Sequence, residues 1–247
     1  MLHSSKQEVK LKRKPNESYI GFRTRVMDQV SKSFCGAKWL DSTIWLNSGK
    51  TASCHYNLPH EIDPNDILTD PMNMHNTAQK QGERQKMLNG ERPSGCIYCW
   101  TLENVDKDHT TDRITKTMRY DQSDLELIHS TKNIVSPHIR TLEIAFDRIC
   151  NFSCMYCGPE LSTTWHNEIK QVGPYDNLIT ETTHYSLKND SATSRDKDLG
   201  SIFTNTFWRL WPNLKDQLVR LRVTGGEPLL SPSFWKLVDS LSENPAP

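Results

Sequence analysis

The 247-residue chain is long enough for one large domain or two small ones, with a sizeable buried core. Its apolar share, 35%, is below the usual value, as polar linkers or an incomplete core would make it. Its 30 basic and 30 acidic residues cancel, so charge argues for no general nucleic-acid or membrane surface.

The N-terminal stretch MLHSSKQEVKLKRKPNE carries basic residues but no apolar run of signal-peptide length. No later segment approaches the roughly 20 apolar residues of a membrane span, which predicts a cytoplasmic protein without a membrane partner. The basic cluster from Lys10 to Lys14 reads as a short solvated arm. In a reducing compartment, seven cysteines are better read as metal ligands than as disulfides, and an odd number forbids complete pairing.

Cys35 and Cys54 flank a predicted hairpin, in which Ile44, Trp45 and Leu46 form a strand core and Asn47-Ser48-Gly49-Lys50 supplies the turn. Residues 59–71, with three prolines, read as an irregular loop. Asn76 caps a predicted helix over 77–89 whose polar composition places it on the surface, with Gly90 as its stop. Cys96 and Cys99 form a C-x2-C knuckle able to hold one metal centre. A four-thiolate zinc site and an iron-sulfur cluster are both consistent with Cys35, Cys54, Cys96 and Cys99, while His55 reads as an ordinary packing histidine. Residues 102–118 form another polar helical candidate, and 132–138 lead toward the next strand.

In TLEIAFDRICNFSCMYCGP, Leu142, Ile144 and Phe146 alternate with Thr141, Glu143 and Ala145, which predicts a strand delivering a cysteine loop. Cys150, Cys154 and Cys157 then follow as C-x3-C-x2-C. With no histidine nearer than His166, a local zinc site would lack its fourth ligand, whereas three thiolates suit a cubane cluster with one open iron. Beyond it come a helix capped near Ser162, a polar inserted loop over 176–198, and a helix over 202–214 whose aromatic stripe reads as core. The run RLRVTGGEPLL predicts a second, parallel strand ending in Gly225-Gly226-Glu227-Pro228, where paired glycines allow close backbone approach. A helix over 232–242 follows, with Phe234, Leu237, Val238 and Leu241 on its buried side.

The cysteine loop, with the aromatic Tyr156 just before Cys157, resembles that of the radical SAM superfamily at every motif position, and the GGEP run resembles that family's motif after its second barrel strand. The resemblance implies that Cys150, Cys154 and Cys157 hold a 4Fe-4S cluster whose fourth iron binds S-adenosylmethionine, reductively cleaved to a 5'-deoxyadenosyl radical. It further implies that Tyr156 lies near the adenine, that Gly225 and Gly226 line the methionine end, and that Glu227 and Pro228 fix the turn. Cys35, Gly49 and Cys54, followed by Cys96-x2-Cys99, resemble the SPASM domain and its shorter relative, twitch, which carry an auxiliary Fe-S cluster. In most members that domain follows the barrel, whereas here it precedes it.

The expected fold is therefore α/β: an N-terminal arm (1–30), a small twitch-like cysteine-rich α+β domain (31–120), a linker (121–139), and the first part of a radical SAM (β/α) barrel (140–247), incomplete because only two parallel strands are visible. The chain reads as the front part of a longer protein. The expected function is radical modification of a peptide, nucleotide or sugar-like substrate, with an electron donor such as flavodoxin or ferredoxin. No hydrogen-abstracting residue is identified. The rival is a non-catalytic four-cysteine zinc or Fe-S module for protein or nucleic-acid partners.

Overall fold

The hairpin expected around Asn47 to Lys50 forms in the computed structural model, which describes residues 11–175, 187 and 197–245. Strands β1 (Asp41–Trp45) and β2 (Lys50–Ala52) pair antiparallel, with Trp45 opposite Lys50, and β3 (His60–Glu61) adds antiparallel to β2. The two predicted parallel strands also form, as β4 (Thr141–Ala145) and β5 (Arg220–Thr224). All belong to one open mixed sheet, in the order β3-β2-β1-β4-β5. A closed barrel is not formed by the described residues.

Two compact units divide the chain, each assembled from separated segments: residues 11–41, 53–58 and 78–136 in one, and 42–52, 59–77 and 137–245 in the other. The cysteines of the first motif group thus fall in the first unit, while the hairpin strands between two of them pair in the sheet of the second.

The first unit is helical. A short turn of helix, α1 (Tyr19–Phe22), is capped by the Ser18 hydroxyl and runs into a π-helical turn at Arg23–Met27. It is followed by α2 (Ala37–Leu40). After α3 (Pro64–Thr69) of the second unit come α4 (Ala78–Leu88), α5 (Ile97–Val105), α6 (Asp112–Thr117) and α7 (Gln122–Thr131). Phe22, Val26, Phe34, Trp39, Trp100, Ile114 and Leu125 pack in its core. The single helix expected over 102–118 is two helices, because Asp106 ends α5 in extended backbone and its carboxylate accepts the Asp108 N–H in a turn. The polar helix expected on the surface is instead buried along Lys80, Arg84 and Met87, which recur at i, i+4 and i+7 on one face. Arg84 satisfies its burial by donating to the carbonyls of Lys38 (2.9 Å) and Ile134 (2.8 Å).

In the second unit, Leu142, Ile144 and Phe146 are buried as the alternation requires, and Glu143 pairs with Arg222 directly opposite it on β5 at 3.0 Å. Helix α8 (Thr163–Val172) is capped by Ser162, as expected. The inserted loop expected over 176–198 lies, up to 196 and apart from Leu187, outside the described residues, while Lys197 and Asp198 belong to the helix that follows. Helix α9 (Lys197–Leu214) buries Phe203, Phe207, Leu210 and Trp211 of the predicted core stripe, with Ile202 only partly buried, and buries Leu214 as well. Helix α10 (Pro232–Glu243) buries only Leu237 fully; Val238 and Trp235 are exposed, because no described element covers that side.

Gly49 has a local structural role. Its φ of +60° completes the hairpin turn, and a Cβ there would lie 2.2 Å from the Phe203 ring.

Candidate metal centres

All seven cysteines are free thiols. Cys35, Cys54, Cys96 and Cys99, up to 64 positions apart in the chain, line one pocket of the first unit. Each arrives from a different local structure. Cys35 precedes α2, where the neighbouring Gly36 N–H donates to the Thr117 hydroxyl at 2.8 Å. Cys54 begins the turn after β2, closed by the Asn57 N–H on its carbonyl at 3.0 Å. Cys96 ends a 3-10 turn (Ser94–Cys96) and Cys99 lies in the first turn of α5, so the knuckle straddles a helix start.

Burial pushes the Cys35 thiol up to about 12, with the neighbouring Cys96, Cys99 and Cys54 adding to the shift and Arg113 opposing it. Cys99 is pushed up to about 11, first by burial and then by Cys54 and Cys96. Cys96 is raised as well, mainly by burial. The thiols therefore sense one another, and ligation by a cation would displace their protons.

Three cations, Lys38, Arg113 and Lys116, line the same pocket. Each has a carboxylate partner: Lys38 with Glu83, Arg113 with Glu103 through Nε and Nη2 along one guanidinium edge, and Lys116 with Asp112 at 3.1 Å. Lys116 Nζ also donates to Cys54 Sγ at 2.8 Å and to His55 Nδ1 at 3.2 Å. Cys54, His55 and Asp112 offer their ligand atoms within 4.8 Å of one another, the spacing of a metal triad. The Lys116 ammonium already bonds all three, so the triad is a cradle for that cation. The His55 ring also packs at a tilt against Tyr56, centroids 4.1 Å apart, and Tyr56 in turn stacks on Tyr98 at 3.7 Å.

Two further groups fit the pocket for a sulfur-rich ligand. The Ser53 hydroxyl is buried and has no hydrogen-bond partner among the described residues, and Asn57 Nδ2 donates to Cys96 Sγ at 3.6 Å. An orphaned buried hydroxyl beside four thiols is what a site shaped for an additional acceptor leaves behind. Sequence reasoning missed Lys116, although the i, i+4 spacing of Asp112 and Lys116 on α6 was legible. Ser53 and Asn57 flank Cys54 without any pattern to mark them.

The second group lies at the carboxyl end of β4. Cys150, Cys154 and Cys157 are partly exposed, while Met155 and Tyr156 are 84% and 86% exposed. The start of α8 anchors the loop. The Cys150 N–H donates to the Thr163 hydroxyl at 3.0 Å, the Thr164 hydroxyl donates to the Cys150 carbonyl at 2.6 Å, and Trp165 Nε1 donates to the Cys154 carbonyl at 2.9 Å. The Cys157 thiol is raised, first by burial and also by Cys150 and Cys154.

Gly225 and Gly226 bring the end of β5 against the chain that enters this loop. A Cβ on Gly225 would lie 2.6 Å from the Asp147 carbonyl, and one on Gly226 2.2 Å from that of Ile149. The Glu227 N–H donates to the Ile149 carbonyl at 2.7 Å, and its carboxylate caps the 3-10 turn at Pro228–Leu230 by accepting from the Leu229 N–H at 3.1 Å. The close approach expected toward a ligand is thus made, in this structure, to residues 147–149. The adjoining pocket, lined by Asp147, Thr224, Gly226 and Ser231 among others, has a cavity volume of about 0 Å³, far below the ~300 Å³ at which small-molecule sites begin.

No match to this chain is found among protein-family models, curated proteins or solved structures. Among the described residues no helix is long and apolar enough to cross a membrane.

Proposed function

We propose that the chain carries the cofactor site of a radical SAM enzyme on a partial (β/α) barrel, together with a twitch-like auxiliary site. The observation that supports this most is a juxtaposition. The three-cysteine loop and the GGEP turn, 67 residues apart from Cys157 to Thr224, lie at the same carboxyl end of two adjacent parallel strands, the end where α/β sheets bind ligands. Cys150, Cys154 and Cys157 would hold a 4Fe-4S cluster, leaving one iron for S-adenosylmethionine. When bound, that pair supplies an electron to the sulfonium and hence a carbon radical. This chain's own contributions are the anchoring of the loop on α8, the exposed Tyr156 ring for the adenine, and the Gly225–Pro228 turn that fixes the loop entrance. Cys35, Cys54, Cys96 and Cys99 would hold the second cluster. The substrate stays at the level of peptide, nucleotide or sugar, with a flavodoxin or ferredoxin as electron donor in a cytoplasmic setting.

Anaerobic reconstitution with iron and sulfide is the test. About eight irons per chain are expected if both sites hold cubanes, falling to about half when Cys150, Cys154 and Cys157 are all changed to Ala. S-adenosylmethionine should alter the electron paramagnetic resonance spectrum of the reduced protein, and the triple variant should lose that response. Tight zinc without sulfide would establish the four-cysteine zinc module instead.

A further inference from the structure

We propose that Lys116, with Ser53 and Asn57, is a positioning device that raises the reduction potential of the cluster held by Cys35, Cys54, Cys96 and Cys99; the inference rests on reading those thiols as iron-sulfur ligands. Lys116 Nζ lies 2.8 Å from Cys54 Sγ, closer than to its own counter-ion Asp112 at 3.1 Å. The ammonium is held by Cys54, His55 and Asp112 together and its side chain is 8% exposed, so water screens it little. Asn57 adds an N–H donor to Cys96 Sγ. Ser53, buried in the lining of the same pocket, has a hydroxyl with no protein partner among the described residues.

Reduction adds one electron to a buried group already carrying thiolate charge. A fixed cation and hydrogen-bond donors at the sulfurs stabilise the reduced form more than the oxidised form, and net charge and hydrogen bonds to sulfur are the protein's main means of setting such potentials. The carboxylates offset part of this effect, since Asp112 acts on Cys99 and Glu83 on Cys96, but the ammonium is in direct contact with Cys54 Sγ at 2.8 Å. Asp112 orients Lys116, and His55 completes the cradle.

The full chain with Cys150, Cys154 and Cys157 changed to Ala leaves one cluster to titrate. In a redox titration followed by electron paramagnetic resonance, Lys116→Gln should shift the midpoint to a more negative potential, and Lys116→Arg should restore most of it. Ser53→Ala and Asn57→Leu should shift it in the same direction by less. If Lys116→Gln lowers iron content, Ser53→Ala and Asn57→Leu in fully loaded protein decide the matter. Unchanged midpoints at full iron and sulfide content overturn the inference while leaving the cluster assignment standing. Zinc without sulfide in the parent protein overturns both.

Discussion

Gly226 and Ile149 meet backbone to backbone: a methyl group on Gly226 would sit 2.2 Å from the Ile149 carbonyl oxygen and 2.7 Å from its carbonyl carbon. The contact couples the end of β5 to the residue immediately before Cys150. Neither side has a flexible side chain that can swing aside, so Gly226→Ala must displace either the turn or the cysteine loop. The expected outcome is a destabilisation of about 2 kcal/mol, typical of overpacking. Iron content should also fall toward that of the triple cysteine variant. Urea unfolding and iron analysis on the same samples would check it; unchanged loading and stability would show that the two strand ends are not mechanically coupled.

Gly49 provides the contrast. Its positive φ opposes a side chain, and so does the Phe203 ring, which stands 2.2 Å from where a Cβ would be. Gly49→Ala should cost about 2 kcal/mol. The four thiols of the first unit lie in a pocket that Gly49 does not line, so their metal content should persist in the folded variant. Selective loss of that metal with stability intact would instead make Gly49 part of the site.

Arg84 is fully buried, and burial lowers its guanidinium to about 9. Replacing it with Met leaves the carbonyls of Lys38 and Ile134 without these donors. Each lost charged hydrogen bond is worth about 1.5–3 kcal/mol, so Arg84→Met should lower the unfolding free energy by about 3 kcal/mol or more. A chemical denaturation midpoint equal to that of the parent would place α4 on the surface after all.

Glu17 accepts from Arg25 Nε at 2.6 Å and Nη2 at 2.8 Å, and from the Lys14 N–H at 3.0 Å. The bond to Arg25, above all, lowers its carboxyl from 4.5 to about 2. Because the folded value lies below the unfolded one, the stabilisation is present above pH 4.5 and disappears as pH falls toward about 2. Glu17→Gln should therefore be less stable than the parent at neutral pH, with the difference closing across that acid window. Thermal unfolding of both proteins from neutral to acid pH would measure it; a gap independent of pH would exclude the ion pair as its source.

Much of the local structure was legible because short periodicities and turn chemistry encode it. Leu142, Ile144 and Phe146 mark a strand by alternation, Phe203, Phe207 and Leu210 mark a helix, and Asn47 to Lys50 mark a hairpin turn, all from residues within a few positions of each other. The C-x3-C-x2-C pattern is legible for the same reason, since its three cysteines lie within eight residues. Pairing over long separations has no such local code. That β1 joins the sheet of β4, that Cys35 shares a pocket with Cys99, and that Lys116 donates to Cys54 were decided by tertiary packing. The burial of Arg84 was decided there too: its guanidinium is drawn inside where remote carbonyls, those of Lys38 and Ile134, stand ready to accept its hydrogen bonds.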